Sequence, residues 1–276
     1  MFHHRSIALL IAALLAANGS AVAFDESLYP NWKGQWRRAE TGLLRYDPSK
    51  PVGLGQQAPL TDEYKAVHAT SIADQAAGGH GNDPTFACVP PGMPRIMNLY
   101  DAMEIVVTPK TTHLLIQAIH DSRRIFTDGR PWPKALDLSF SGYSIGKWTD
   151  TDGDGRYDLL EVETRGFKGP RAYDETGLPL HSDNESIIKE RIYGDKSNPG
   201  TLYDEITTID NALTRPWTVT KTYLRSEEKQ PVWREAVCPM GNVHVVIGGQ
   251  NYFLSAEGLL MPARKNQQPP DLKHFK

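Results

Sequence analysis

From Met103 onward the chain is a succession of short runs rich in β-branched and aromatic residues, separated by turn signals, with no stretch of helical period between them. The runs are Met103 to Thr108, Thr112 to Ile119, Arg123 to Thr127, Tyr143 to Trp148, Asp158 to Thr164, Ser186 to Tyr193, Leu202 to Ile209, Trp217 to Leu224, Val232 to Cys238, Val243 to Ile247 and Tyr252 to Leu254. Strands in series without crossover helices imply an antiparallel meander. A meander this long has two edges to protect, so it closes into a barrel or folds into a sandwich. The expected organisation is all-β, with one domain over residues 101–265. It is preceded by a Pro- and Gly-rich arm over 24–100 and followed by a polar tail over 266–276. The arm carries one expected helix, Asp62 to Ala77, capped by Thr61, with Asp62 and Glu63 at the positive end of its dipole.

Residues 1–23 read as an export signal. His3, His4 and Arg5 precede the apolar run Ile7 to Ala17, and Ala21-Val22-Ala23 supplies the small residues of a cleavage site. The run is too short to span a hydrocarbon core, which takes ~20 residues, so no transmembrane segment is expected after removal of the signal. The expected location is periplasmic or secreted. An oxidising compartment makes a Cys88–Cys238 disulfide the economical use of the two cysteines. In the chain-entropy model, closing a loop that long removes about 4 to 5 kcal/mol of unfolded-state entropy. With 30 basic against 33 acidic residues, there is no excess positive charge to meet a phosphate backbone, and no nucleic-acid partner is expected.

The densest chemical signal is Asp150-Thr151-Asp152-Gly153-Asp154-Gly155-Arg156-Tyr157-Asp158-Leu159-Leu160-Glu161. It fits the twelve-position calcium loop, with Asp150, Asp152 and Asp154 at positions 1, 3 and 5 and Gly155 at the sharp turn. The Arg156 carbonyl falls at position 7, Asp158 at 9 and Glu161 at 12. The flanking segments read as strands, so the expectation is a structural Ca2+ loop at the end of a hairpin. No organic cofactor is expected, because the chain has no phosphate-cradling glycine loop and no dinucleotide fingerprint.

Gly142-Tyr143-Ser144-Ile145-Gly146 matches the Gly-x-Ser-x-Gly pattern, but no helix follows the serine as a nucleophile elbow requires. More promising are polar residues that strand alternation sends inward. If the turn at Asp195 to Gly200 pairs residues near 190 and 205, Glu190 and Glu205 share a face with Ile188, Ile192, Tyr203 and Thr207. Two facing carboxylates would raise one pKa, as proton transfer requires. A one-residue change of register turns both outward and leaves an ordinary Arg191–Asp204 ion pair. Arg215 beside Trp217 could stack on a planar ligand or hold a carboxylate, though a Trp at a strand start is also ordinary core.

Several stretches together resemble a family of exported, mostly hypothetical proteins of acidobacteria and proteobacteria. They are Asn31 to Trp36, Cys88 to Arg95, Arg123 to Arg130, Gly142 to Trp148, His181-Ser182-Asp183, Glu190-Arg191 and Leu213 to Thr218. This chain departs from the family in placing the calcium loop where a short hairpin is usual. The resemblance implies a lipocalin-like antiparallel barrel, brings no activity with it, and clusters on Arg124, Asp128, His181, Glu190 and Arg215. The expected function is a small-molecule-binding barrel with cofactor-free acid–base chemistry of the lyase or isomerase kind. Glu190 or Glu205 would move the proton, His181 and Asp128 would assist, and Arg124, Arg215 and Trp217 would hold the ligand. A non-catalytic periplasmic carrier and a structural envelope protein are the alternatives. The sequence does not state an oligomeric state.

Overall fold

The computed structural model describes residues 24–40, 45–98, 102–117, 121–233, 244–248, 250–255 and 259–270. The export signal, Cys238 and most of the strand expected over Val232 to Cys238 lie outside them. No helix among the described residues is long and apolar enough to cross a membrane.

Nine strands close into a barrel: β1 (Gln35–Arg38), β2 (Met103–Val107), β3 (Thr111–Ile116), β4 (Asp121–Phe126), β5 (Tyr143–Thr149), β6 (Leu159–Arg165), β7 (Ile187–Gly194), β8 (Thr201–Ile209) and β9 (Trp217–Arg225). Each strand pairs with its sequence neighbours, and β1 pairs with both β2 and β9. The barrel is therefore completed by a strand from the arm, which does more than wrap around a finished domain. All pairs are antiparallel except β4 with β5, which run parallel through Ile125↔Ser144 and Phe126↔Ile145. The long connection 127–142 makes that possible, because it returns the chain to the end from which β4 began.

Alternation drives Ile105, Leu114, Ile116, Ile125, Leu160, Val162, Ile188, Ile192, Leu202 and Ile206 into one core. A barrel of this size leaves room for more than side chains from its own staves. That room is taken by the arm: Met93, Ile96 and Met97 are buried in the same core, and Tyr223 Oη donates to the Met97 carbonyl at 2.7 Å. The segment 24–33 lies over one end, where Tyr29 and Trp32 pack on Trp148 with ring centroids 5.4 and 5.0 Å apart. At a second apolar cluster, α1 (Asp62–Ala76) presents Tyr64, His68 and Ser71 inward, and Ser71 Oγ donates to the Thr176 carbonyl at 2.9 Å.

The strands expected near 243–254 do not join the barrel. β10 (His244–Ile247), β11 (Gln250–Leu254) and β12 (Leu260–Pro262) form a separate three-stranded sheet. Here β10 packs against the short turn Pro84–Ala87 that precedes Cys88. No free cysteine occurs among the described residues. The Cys88–Cys238 pairing itself falls outside them.

Candidate functional site: a buried polar row in the barrel

The β7–β8 turn fixes which polar residues enter the barrel. Asp195 N donates to the Thr201 carbonyl and Thr201 N to the Asn198 carbonyl, which sets Gly194 opposite Leu202. Glu190 then faces Ile206, Ile192 faces Asp204, and Arg191 faces Glu205. The expected Glu190/Glu205 pair is corrected by one register step: the inward carboxyls are Glu190 and Asp204. Glu205 lies on the outer face, accepting from Arg191 Nη1 at 2.9 Å and Tyr193 Oη at 2.8 Å. Burial, with Glu205 beside it, pushes the Tyr193 phenol up to about 12. Glu205→Gln is expected to change stability by less than about 1 kcal/mol, as exposed ion pairs do, in urea denaturation.

Arg123 (2% exposed), Glu190 (2%), Asp204 (0%) and Lys221 (1%) form a row across β4, β7, β8 and β9. Arg123 grips Glu190 with both terminal nitrogens, Nη1 to Oε1 at 2.7 Å and Nη2 to Oε2. It also donates to Thr164 Oγ1 at 2.9 Å, and Ser144 Oγ and Thr164 Oγ1 bond each other at 2.8 Å. Next along, Asp204 stands directly opposite Lys221 in the β8–β9 ladder. Neither Asp204 oxygen makes a hydrogen bond of full geometry, and the group it approaches is the Glu190 carboxylate, to which a protonated Asp204 can donate. Burial, reinforced by the Glu190 carboxylate, raises its pKa well above the usual carboxylate range against the pull of Arg123 and Lys221. Burial brings the Lys221 amine down to about 7. Lys221 Nζ donates to the Tyr46 carbonyl and, at 3.2 Å, to Asn98 Oδ1, and it lies 4.2 Å from the centre of the Tyr46 ring.

Tyr46 joins Tyr173 and Trp217 in an aromatic trio, with centroids 4.7, 5.0 and 5.2 Å apart. Tyr46 Oη and Tyr173 Oη are buried around Thr208 Oγ1, the hydroxyl that each of them approaches, although none of the three forms a hydrogen bond of full geometry. Lys221, Tyr46 and Thr208 are not among the residues expected from the sequence; Asp204 is expected there only in an ordinary ion pair with Arg191, and Arg123 only within the stretch Arg123 to Arg130. The available signal was period two: Ile125 follows Arg123, Leu202 and Ile206 bracket Asp204, and Val219 and Tyr223 bracket Lys221, each at i±2.

The remaining candidates do not gather there. Arg124 is exposed on the outer face opposite His113, because its neighbour Arg123 takes the inward position. Asp128 is outside the barrel, where bonds from Arg130 at 2.8 and 2.7 Å bring its carboxyl down to about 2. His181 sits at the rim, Nδ1 2.8 Å from Asp183 Oδ2, its ring packed on Tyr64. Arg215 is exposed, whereas Trp217 is buried in the trio. Ser144 lies mid-strand on the inner face, bonded to Thr164 rather than to a histidine. The glycine at 146 is steric in origin: a Cβ there would come within 2.5 Å of Ile125 Cγ2.

In the acidic loop, carboxylate oxygens of Asp150, Asp152 and Asp154 lie within 4.8 Å of one another. Asp150 accepts from Gly153 N at 2.7 Å and Gly155 N at 2.9 Å, and Arg156 N donates to Asp154 at 2.8 Å. Asp158 is held by Thr151 N and Oγ1 at 2.9 and 2.6 Å. Lys196, from the β7–β8 turn, reaches Asp152 at 2.7 Å and Asp158 at 3.3 Å. Glu161 stands apart on β6 opposite Lys147, accepting from Thr149 Oγ1 at 3.3 Å. Two open clefts of about 340 and 520 Å3 flank the 26–33 segment at this end. Of the residues expected to act, Asp158 and Arg156 line them, one in each.

The chain matches no protein-family model, no curated protein and no solved structure.

Proposed function

We propose that this chain is a small-molecule-binding β-barrel whose ligand seats against Asp204, Thr208, Lys221, Tyr46 and Tyr173. The observation that carries the reading is the concentration, on Asp204, Thr208, Tyr46 and Tyr173, of buried polar atoms that approach one another and Glu190 without a hydrogen bond of full geometry. Buried polar groups are almost always paired, and each unpaired one costs about 1–3 kcal/mol. Five such atoms beside an aromatic wall suit a ligand with its own donors and acceptors. Glu190, locked by Arg123, is not the base in this scheme; Asp204 and Lys221 are the acid–base pair. Residues 59–61 meet the barrel end through one bridge, Leu60↔Leu213, and the bonds Thr61 N to Ala212 O and Thr214 N to Pro59 O.

Site residues of this kind cost stability, so Asp204→Asn is expected to leave the melting temperature of the purified protein unchanged or higher. The same variant is expected to lose any small molecule that native mass spectrometry finds on the wild type. A melting temperature lowered by several degrees would assign the row to the fold instead.

The proposal includes a structural calcium ion on the 150–158 loop, held by Asp150, Asp152, Asp154 and the Arg156 carbonyl and displacing Lys196 from Asp152. Three convergent carboxylates and a backbone oxygen are the hard donors calcium takes. Calorimetric titration with CaCl2 is expected to release heat and raise the melting temperature, with reversal by chelator; absence of both effects removes the ion. The reading places the protein outside the cytoplasm, on the strength of residues 1–23.

A further inference from the structure

Beside the 24–33 segment the barrel wall leaves a strand edge open. β1 pairs with β2 only through Trp36↔Met103 and Gln35↔Glu104, so the ladder stops before the last three residues of β2, Ile105, Val106 and Val107. Two features turn the arm away there. Gly34 takes φ +94°, in the left-handed region that favours glycine, and bends the chain out of the ladder. The carbonyls just before it are used elsewhere: Arg225 on β9 donates to those of Asn31 and Lys33, and Trp32 N donates to that of Pro30, which has no N–H of its own. No backbone hydrogen bond joins residues 29–33 to residues 105–107. The parity of the unused groups follows from β3. Gln117 N donates to the Ala102 carbonyl and Thr108 N to the Thr111 carbonyl, so residues 102, 104, 106 and 108 turn their backbone groups towards β3. Ile105 and Val107 turn theirs towards the arm and the cleft of about 520 Å3 that separates it from β2.

We propose that this edge takes up an extended, acidic segment of a partner polypeptide, which pairs with Ile105–Val107 as an added strand. None of the residues of the buried row lines this cleft, and the partner is taken up whether or not the row binds a ligand. Backbone N–H and C=O groups repeating at strand spacing are complemented by another main chain, which offers the same groups at the same repeat. Exposed edges are ordinarily blunted by lysine, proline or a bulge, whereas Ile105-Val106-Val107 is regular, uncharged and β-branched, and Val106 is 43% exposed. Tyr29 and Pro30 supply an apolar wall across the cleft, which suits β-branched residues at alternate positions of the incoming strand. Charge selects the rest of its chemistry. Glu26 and Lys33 neutralise each other at 2.8 Å, and the Arg156 guanidinium on the same cleft has no ion-pair or hydrogen-bond partner among the described residues. The aspartates near Arg156 in the chain are engaged by backbone N–H groups and by Lys196. A carboxylate on the incoming segment is the complement that Arg156 lacks.

Amide hydrogen exchange of the intact wild-type protein, read residue by residue by NMR, tests this with the peptide acetyl-Thr-Val-Glu-Val-Thr-amide. In the free protein the Val107 N–H is expected to exchange rapidly and the Val106 N–H, which faces His113 on β3, slowly. The peptide at millimolar concentration is expected to slow Val107 exchange at least ~10-fold. Its fully N-methylated counterpart, which has no N–H to give, is expected to leave Val107 exchange unchanged. The peptide with lysine in place of glutamate is expected to slow it less, and Arg156→Ala to remove that difference while keeping the backbone at 156. A Val107 amide already protected in dilute, free protein means that the chain fills its own edge, and overturns the proposal. Exchange that the peptide leaves unchanged overturns it as well. Protection that grows with protein concentration alone overturns it in favour of a second copy of this chain, and equal slowing by the lysine peptide overturns the acidic partner. The deciding measurements are made on the wild type, so they do not depend on a variant folding.

Discussion

Arg123→Met is expected to destabilise the protein by about 3–5 kcal/mol, a fall of roughly 10 °C in melting temperature for a barrel of this size. The reason is what it leaves behind. Glu190 is fully enclosed, and its two oxygens are satisfied by the Arg123 fork; without that fork the carboxylate is a buried charge with no counter-ion. Glu190→Gln removes the negative charge but leaves Arg123 bonded to Thr164, so it strands a guanidinium and is expected to cost a similar amount. The double variant Arg123→Met/Glu190→Met has no stranded charge and is expected to recover most of the loss, because a well-packed apolar pair replaces a buried ion pair at little cost. Urea denaturation of the four proteins measures the coupling directly. Single variants within about 1 kcal/mol of wild type would mean that water reaches the pair and that Glu190 is available to a ligand after all.

How far the sequence could be read follows the range of the interactions. The acidic loop is local, and its three aspartates converge as their spacing implies. Strand positions are nearly local too: the runs from Met103 to Leu224 fall within a few residues of β2 to β9. β1 was invisible because Gln35-Trp36-Arg37-Arg38 has no apolar alternation; Trp36 is buried and Gln35 bonds to Glu104 through contacts that only closure supplies. Register was the costly step. A shift of one residue in the β7–β8 hairpin exchanges Glu205 for Asp204 as the inner carboxyl, and nothing in the turn composition chooses between them. The choice follows from the Asp195 and Thr201 backbone bonds. Arg123 against Arg124 is the same problem, settled by Ile125 facing the core. Tyr46 and Asn98, which complete the surroundings of Lys221, come from an arm whose path over the barrel has no sequence period at all.

The pH profile of stability carries the largest signature of Lys221. In the folded protein its amine releases a proton near 7, and in the unfolded chain near 10.5. Between those values the unfolded chain binds more protons, so this group makes stability rise with pH by about 1.4 kcal/mol per unit. Below pH 7 the full penalty, about 4–5 kcal/mol, is in force. Lys221→Met removes that penalty together with two hydrogen bonds worth about 1 kcal/mol each. The variant is therefore expected to be about 2–3 kcal/mol more stable than wild type at pH 6, and to become the less stable of the two near pH 10, where the folded amine is neutral and most of the penalty has gone. Asp204 acts in the opposite sense. Its folded pKa is raised, so its contribution is complete below the ordinary 3.8 and is lost as pH rises through the folded value. Asp204→Asn is therefore expected to flatten the acid side of the profile, and Lys221→Met the side above pH 7. Urea midpoints taken from pH 5 to 10 separate the two limbs. Parallel curves for wild type and Lys221→Met would show a lysine that keeps its charge in the fold, with the Tyr46 ring and its two acceptors as partners.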